Sequence, residues 1–127
     1  MVDRAAESPV DLAVAMRWLG GDQHLLSELV GIFVDEGPKR LQAIRAASTA
    51  SDVQQVEHVA HSLKGSAAIL GATRLQTAAL ALEEAAHERH TENSPDLVAE
   101  IARELERVMA FFADPAWKDR IDLEETS

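Results

Sequence analysis

The sequence predicts an all-α fold, an antiparallel four-helix bundle with a short N-terminal capping helix. Composition points there first: 22 of the 127 residues are Ala and 14 are Leu, while aromatics make up 4%, a balance that favours helix over sheet. Four prolines and six glycines are too few punctuators for a many-turned β sandwich. The third observation is periodic. Apolar residues recur at spacings of three and four along segments of roughly 17 residues or more, joined by short turns.

The elements follow in order. Ser8-Pro9-Val10-Asp11 offers an N-cap, a proline at the first helical position and an acid in the first turn. It opens a short helix near Leu12 to Leu19 that carries Trp18, with Gly20-Gly21 as its stop. Residues 22–49 place Leu26, Leu29, Phe33, Leu41 and Ile44 on one side, and Gly37-Pro38 predicts a kink or break within that run. Ser51-Asp52-Val53-Gln54 reads as a capping box. After it, residues 52–70 carry Val53, Val56, Ala60, Leu63, Ala67 and Leu70, and Gly71 stops the helix. Thr73-Arg74-Leu75-Gln76 reads as a second capping box, leading Leu75, Ala79, Leu82 and Ala86. Ser94-Pro95-Asp96 starts the last long helix, with Leu97, Ile101, Leu105, Val108 and Phe112, and Asp114-Pro115 opens a final short turn. Residues 1–127 thus read as a single domain with its core over about 9–112 and a solvated acidic tail over 119–127.

Charge excludes several functions. Twenty-two acidic against 12 basic residues give a net charge of −10, with no Lys/Arg run. Nucleic acid and anionic membrane surfaces both need basic residues and are excluded as partners. The absence of cysteine removes disulfides, thiolate zinc sites and cysteine nucleophiles. No stretch reads as a signal peptide or a membrane span. The expectation is a cytoplasmic monomer.

The chemically informative stretch is His61-Ser62-Leu63-Lys64-Gly65-Ser66-Ala67-Ala68. At about 100° per residue, His61 falls roughly 130° from the centre of the apolar seam and faces solvent. Lys64, Gly65 and Ala68 are its neighbours on the following turns. Gly65 is anomalous, because a glycine inside a helix costs about 1 kcal/mol relative to Ala. Beside an exposed imidazole it makes sense if another protein's backbone approaches closely there. Packing between helices is the competing explanation, and the outward position of Gly65 argues against it. His24, His58, His87 and His90 carry no such pattern and read as solvated surface residues.

His61-x-x-Lys64-Gly65, followed by Gly71-Ala72, resembles the signature of histidine-containing phosphotransfer (HPt) domains of two-component phosphorelays. The stretch from Asp11 to Asp22 and the pair Leu82-Glu83 fit the same pattern, so the resemblance spans about residues 9–112. It implies a covalent phosphoryl carrier, not an enzyme, with His61 as phospho-acceptor and Lys64 offsetting phosphate charge. Gly65 and Ala68 would let a partner dock. Glu83, a poor phosphate contact as an anion, is a candidate hydrogen-bond partner for the imidazole. The implied partners are response-regulator receiver domains or a hybrid sensor kinase. A receiver would bring the acceptor Asp, Mg²⁺ and most of the catalysis, so no cofactor or metal is expected in this chain.

Three other readings compete. A helical adaptor could bind a receiver or kinase without exchanging phosphate. A metal-binding bundle could use His58, His61, His87 and His90 with the half-motif Glu84-x-x-His87, although a di-iron site needs a second Glu-x-x-His. The dimerisation helices of a sensor kinase also carry a phosphorylated histidine, but there an acid typically follows it, where Ser62 stands here.

Overall fold

A computed structural model describes residues 8–120. The N-terminal stretch and residues 121–127 of the acidic tail lie outside the described residues. Helices α1 (Leu12–Trp18), α2 (Gln23–Thr49), α3 (Val53–Ile69), α4 (Thr73–His87) and α5 (Ser94–Ala113) follow one another in the chain. Each long helix packs on its neighbours in sequence, and α5 returns to α2, closing a four-helix ring. The predicted architecture is the observed one. At 15 residues α4 is shorter than predicted, because Arg89 turns into the left-handed region just after it.

The core is the predicted stripe with few changes. Leu26, Ile44, Leu63, Leu75, Leu82, Ile101 and Val108 are fully buried. Leu29, Leu41, Val53 and Leu97 sit partly buried against them. The amphipathic period is therefore what orients each helix. Among the described residues one charged side chain joins the interior: Glu104 is 4% exposed. Arg107 and Arg74 approach its Oε1 at 3.6 and 4.0 Å, which offsets the cost of burying its charge.

The helix ends depart from the predicted caps. Asp11, not Ser8, caps α1 and accepts from the Ala13 and Val14 N–H groups. Asp52, not Ser51, caps α3 and accepts from the Gln55 N–H. Ala72 and Asn93 precede α4 and α5 without a side-chain cap bond, leaving Thr73 and Ser94 inside the helices. Asp and Ser/Thr cap by the same physics, so adjacent candidates compete on backbone geometry alone. The glycine stops hold: Gly20, Gly21 and Gly71 all have positive φ. Asp114 accepts from the Ala116 N–H in the final turn, as predicted.

Two further features shape the packing. Helix α2 runs through Gly37-Pro38 without a break. Pro38 and Val34, whose carbonyl loses its helical donor, both lie on the exposed flank, where water can substitute. Gly37 is buried, and a Cβ there would stand 3.2 Å from Leu105 Cδ1, so its role is close approach of α5. In α1, Leu12, Ala15 and Met16 are buried while Trp18 is 67% exposed. The capping helix docks on α2 and α3 with its tryptophan outward. Trp117, which follows α5, instead closes the core, edge-on to Phe112 at 5.3 Å.

The hairpin of α3 and α4 positions the site. Its turn is fixed by a backbone bond from the Asp11 N–H to the Gly71 carbonyl, 2.8 Å. This bond also ties the start of α1 to the bundle.

Candidate functional site

His61 stands on the outer face of α3 with its side chain 64% exposed, as the periodicity predicts. Its Nδ1 lies 2.6 Å from Glu83 Oε2 on α4. The other carboxylate oxygen, Oε1, takes the Lys64 ammonium at 2.6 Å. One carboxylate therefore holds both the imidazole and the cation one turn further along α3. Glu83 is only 17% exposed, while the imidazole it holds stays open to solvent.

The titration of Glu83 follows from these neighbours. Partial burial pushes its carboxyl upward, but the Lys64 ammonium and the His61 ring at hydrogen-bonding distance outweigh that, and the net shift is downward. An ionised carboxylate only accepts hydrogen bonds. Nδ1 of a neutral His61 must then carry the proton and donate it, which leaves the Nε2 lone pair unprotonated. Because the folded-state value is depressed, the pairing stabilises the fold above the ordinary Glu value of about 4.3. That stabilisation is lost as pH falls through the lower folded value. Thermal melts of wild type and Glu83→Gln should accordingly differ near neutral pH and converge in acid.

Gly65 faces open space, with no atom within 4 Å of where its Cβ would be. Gly31 on α2 is equally open, so an exposed helical glycine is not by itself diagnostic; its place beside His61 gives Gly65 meaning. Ala68 is half-buried on the same helix. On the flank toward α2, Arg40 Nη1 donates to Ser66 Oγ at 2.6 Å, a cation near the site that the sequence did not single out. Among the described residues no three His, Cys, Asp or Glu side chains form a metal-ligating group. His87 pairs with Glu57, so the Glu84-x-x-His87 half-motif assembles nothing further there.

The Glu83 contact was legible in principle. His61 and Glu83 stand at equal distances on either side of Ala72 in the turn, so an antiparallel hairpin brings them level. Arg40 gave no such signal, because its position depends on how α2 lies across α3.

A family model of the Hpt domain matches residues 28–111, more than half of the chain and all three elements that carry these residues. The chain belongs to the Hpt domain family. Hpt domains are the histidine-containing phosphotransfer modules of two-component phosphorelays, carriers of a phosphoryl group. Among solved structures, the chain is similar to histidine-containing phosphotransfer protein B (HptB) of Pseudomonas aeruginosa PAO1. The match has 28% identity and a TM-score of 0.78, and covers 88% of this chain and 96% of that one. No curated protein matches the chain. Among the described residues, no helix of this Hpt domain is long and apolar enough to cross a membrane.

Proposed function

We propose that this Hpt domain is a monomeric carrier that accepts a phosphoryl group on His61 Nε2 and exchanges it with the Asp of response-regulator receiver domains. The observation that carries the reading is the Glu83 clamp on Nδ1, which presents the opposite ring nitrogen on an open surface. In the forward step the Nε2 lone pair forms a bond to phosphorus while the bond to the aspartyl oxygen breaks and its electron pair returns to the carboxylate. The ring becomes an N-phosphorylated imidazolium whose Nδ1–H keeps donating to the Glu83 carboxylate, so the growing positive charge meets a fixed negative one. Lys64 offsets the charge of the phosphoryl oxygens from the next turn. Mg²⁺ and the acceptor carboxylate come with the receiver.

Three variants test the parts. Glu83→Gln keeps the shape but removes the charge, and transfer from a phosphorylated receiver should slow by about tenfold or more while receiver binding is retained. Transfer at the wild-type rate would remove Glu83 from the mechanism. Gly65 separates docking from folding. Gly65→Ala should raise stability by about 1 kcal/mol, since the Cβ enters open space and alanine is the better helix former. Gly65→Leu should instead slow exchange by blocking approach, and an unchanged rate would contradict the docking role. Exposed Ile69 and Leu80, on the same hairpin, supply apolar contact area for the receiver. A chain that bound receivers yet took up no phosphate from any of them would be an adaptor.

A further inference from the structure

The α3–α4 hairpin carries another imidazole–carboxylate pair beside the first. His87 Nδ1 lies 3.0 Å from Glu57 Oε2, with the histidine side chain 75% exposed and the glutamate half-buried. The arrangement repeats His61–Glu83 with the helices exchanged. Glu57 and His61 are four residues apart on α3, and Glu83 and His87 are four apart on α4, so both pairs bridge the same face of the hairpin. The local sequences repeat too: Glu57-His58-Val59-Ala60-His61 against Glu83-Glu84-Ala85-Ala86-His87. In both, the carboxylate takes Nδ1 and leaves Nε2 toward solvent. The other paired histidines are built differently. His24 commits its Nε2 to Glu28 at 3.0 Å, and His90, though it also turns Nδ1 to a carboxylate, meets Glu88 of its own turn at a looser 3.5 Å and not across the hairpin.

We infer that His87 is a second phosphoryl-acceptor site, loaded on Nε2 by small phosphoramidate or acyl-phosphate donors. The inference rests on the reading of His61, since both sites use a carboxylate-held imidazole as the nucleophile. What His87 lacks defines its donor. The lysines of the described residues are all engaged elsewhere, Lys39 at Asp35, Lys64 at Glu83 and Lys118 over Trp117. No lysine therefore stands at Glu57 as Lys64 does at Glu83. His87 is also the last residue of α4, where the chain turns through Arg89, so no smooth helical face continues beyond it for a receiver. With phosphoramidate, the Nε2 lone pair forms the new bond to phosphorus. The phosphorus–nitrogen bond of the protonated donor breaks and its electron pair leaves with ammonia. The positive charge left on the ring is held by the Nδ1–H bond to Glu57.

The test treats the full chain with potassium phosphoramidate and maps phosphohistidine under alkaline conditions by mass spectrometry. Wild type, His61→Gln, His61→Gln/His87→Gln and His61→Gln/Glu57→Gln are compared, each checked for helical content by circular dichroism. Label on both His61 and His87 in wild type is expected. His61→Gln should keep label on His87 alone, the Glu57→Gln combination should slow it, and the double histidine variant should lose it. Label confined to His61, or residual label on His61→Gln spread equally over His24, His58 and His90, would overturn the second site and leave the first intact. Label on His87 without His61 would support this site and overturn the reading of His61. An unlabelled wild type would overturn both.

Discussion

His61→Gln is expected to abolish phosphoryl uptake from a phosphorylated receiver domain without unfolding the chain. Glutamine has no nucleophilic nitrogen, because its amide lone pair is delocalised into the carbonyl, so the loss should be complete. Stability should change little. The His61 side chain is largely exposed and among the described residues it pairs with Glu83, which keeps Lys64 at its other oxygen; exposed ion pairs contribute about 1 kcal/mol or less. Receiver-dependent labelling with parallel thermal melts checks both halves. Persistent receiver-dependent label on the variant would move the acceptor elsewhere.

Gly71→Ala is expected to produce the largest loss of stability of any Gly→Ala substitution in the chain. Gly71 has a φ of +72°, and a Cβ there would run into the Asp11 carbonyl group. The obstacle is backbone, and that backbone is held by the hydrogen bond from the Asp11 N–H to the Gly71 carbonyl. Left-handed strain and overpacking together should cost about 2–4 kcal/mol, which lowers the melting temperature by roughly 10–20 °C. Gly65→Ala, with nothing near its added methyl, is the opposite control. A melting temperature for Gly71→Ala within about 2 °C of wild type would contradict the proposed clamp between α1 and the α3–α4 turn.

How far the sequence discloses this molecule depends on the range of the interaction involved. Helix identity and the buried face follow from local period, which is why Leu63, Leu75, Leu82, Ile101 and Val108 fall in the core as predicted. Stops at Gly20, Gly21 and Gly71 are legible because only glycine takes those φ values without cost. The N-cap of α3 is not legible, because Ser51 and Asp52 are chemically equivalent candidates and the turn before α3 makes the choice. Pro38 does not end α2, because the Val34 carbonyl it leaves without a donor lies on the exposed flank, a property of tertiary placement.

The site divides in the same way. The outward position of His61, with Lys64 and Gly65 on its helix, is a one-helix property that spacing reveals. The partnership of His61 with Glu83 follows from their equal spacing about Ala72, whereas the second use of Lys64, as a partner of Glu83, needs the register of two helices. Arg40 on Ser66 needs a third helix. The sequence placed His87 among the solvated histidines, and it is solvated. Its Glu57 partner becomes visible only once the hairpin is closed.

The most direct measurement is heteronuclear NMR of ¹⁵N-histidine-labelled wild type after loading from a phosphorylated receiver. Phosphorus coupling to Nε2 of His61, with Nδ1 still protonated, is the predicted result. Coupling to Nδ1, or a receiver-dependent phosphoryl group on any other residue, would contradict the account.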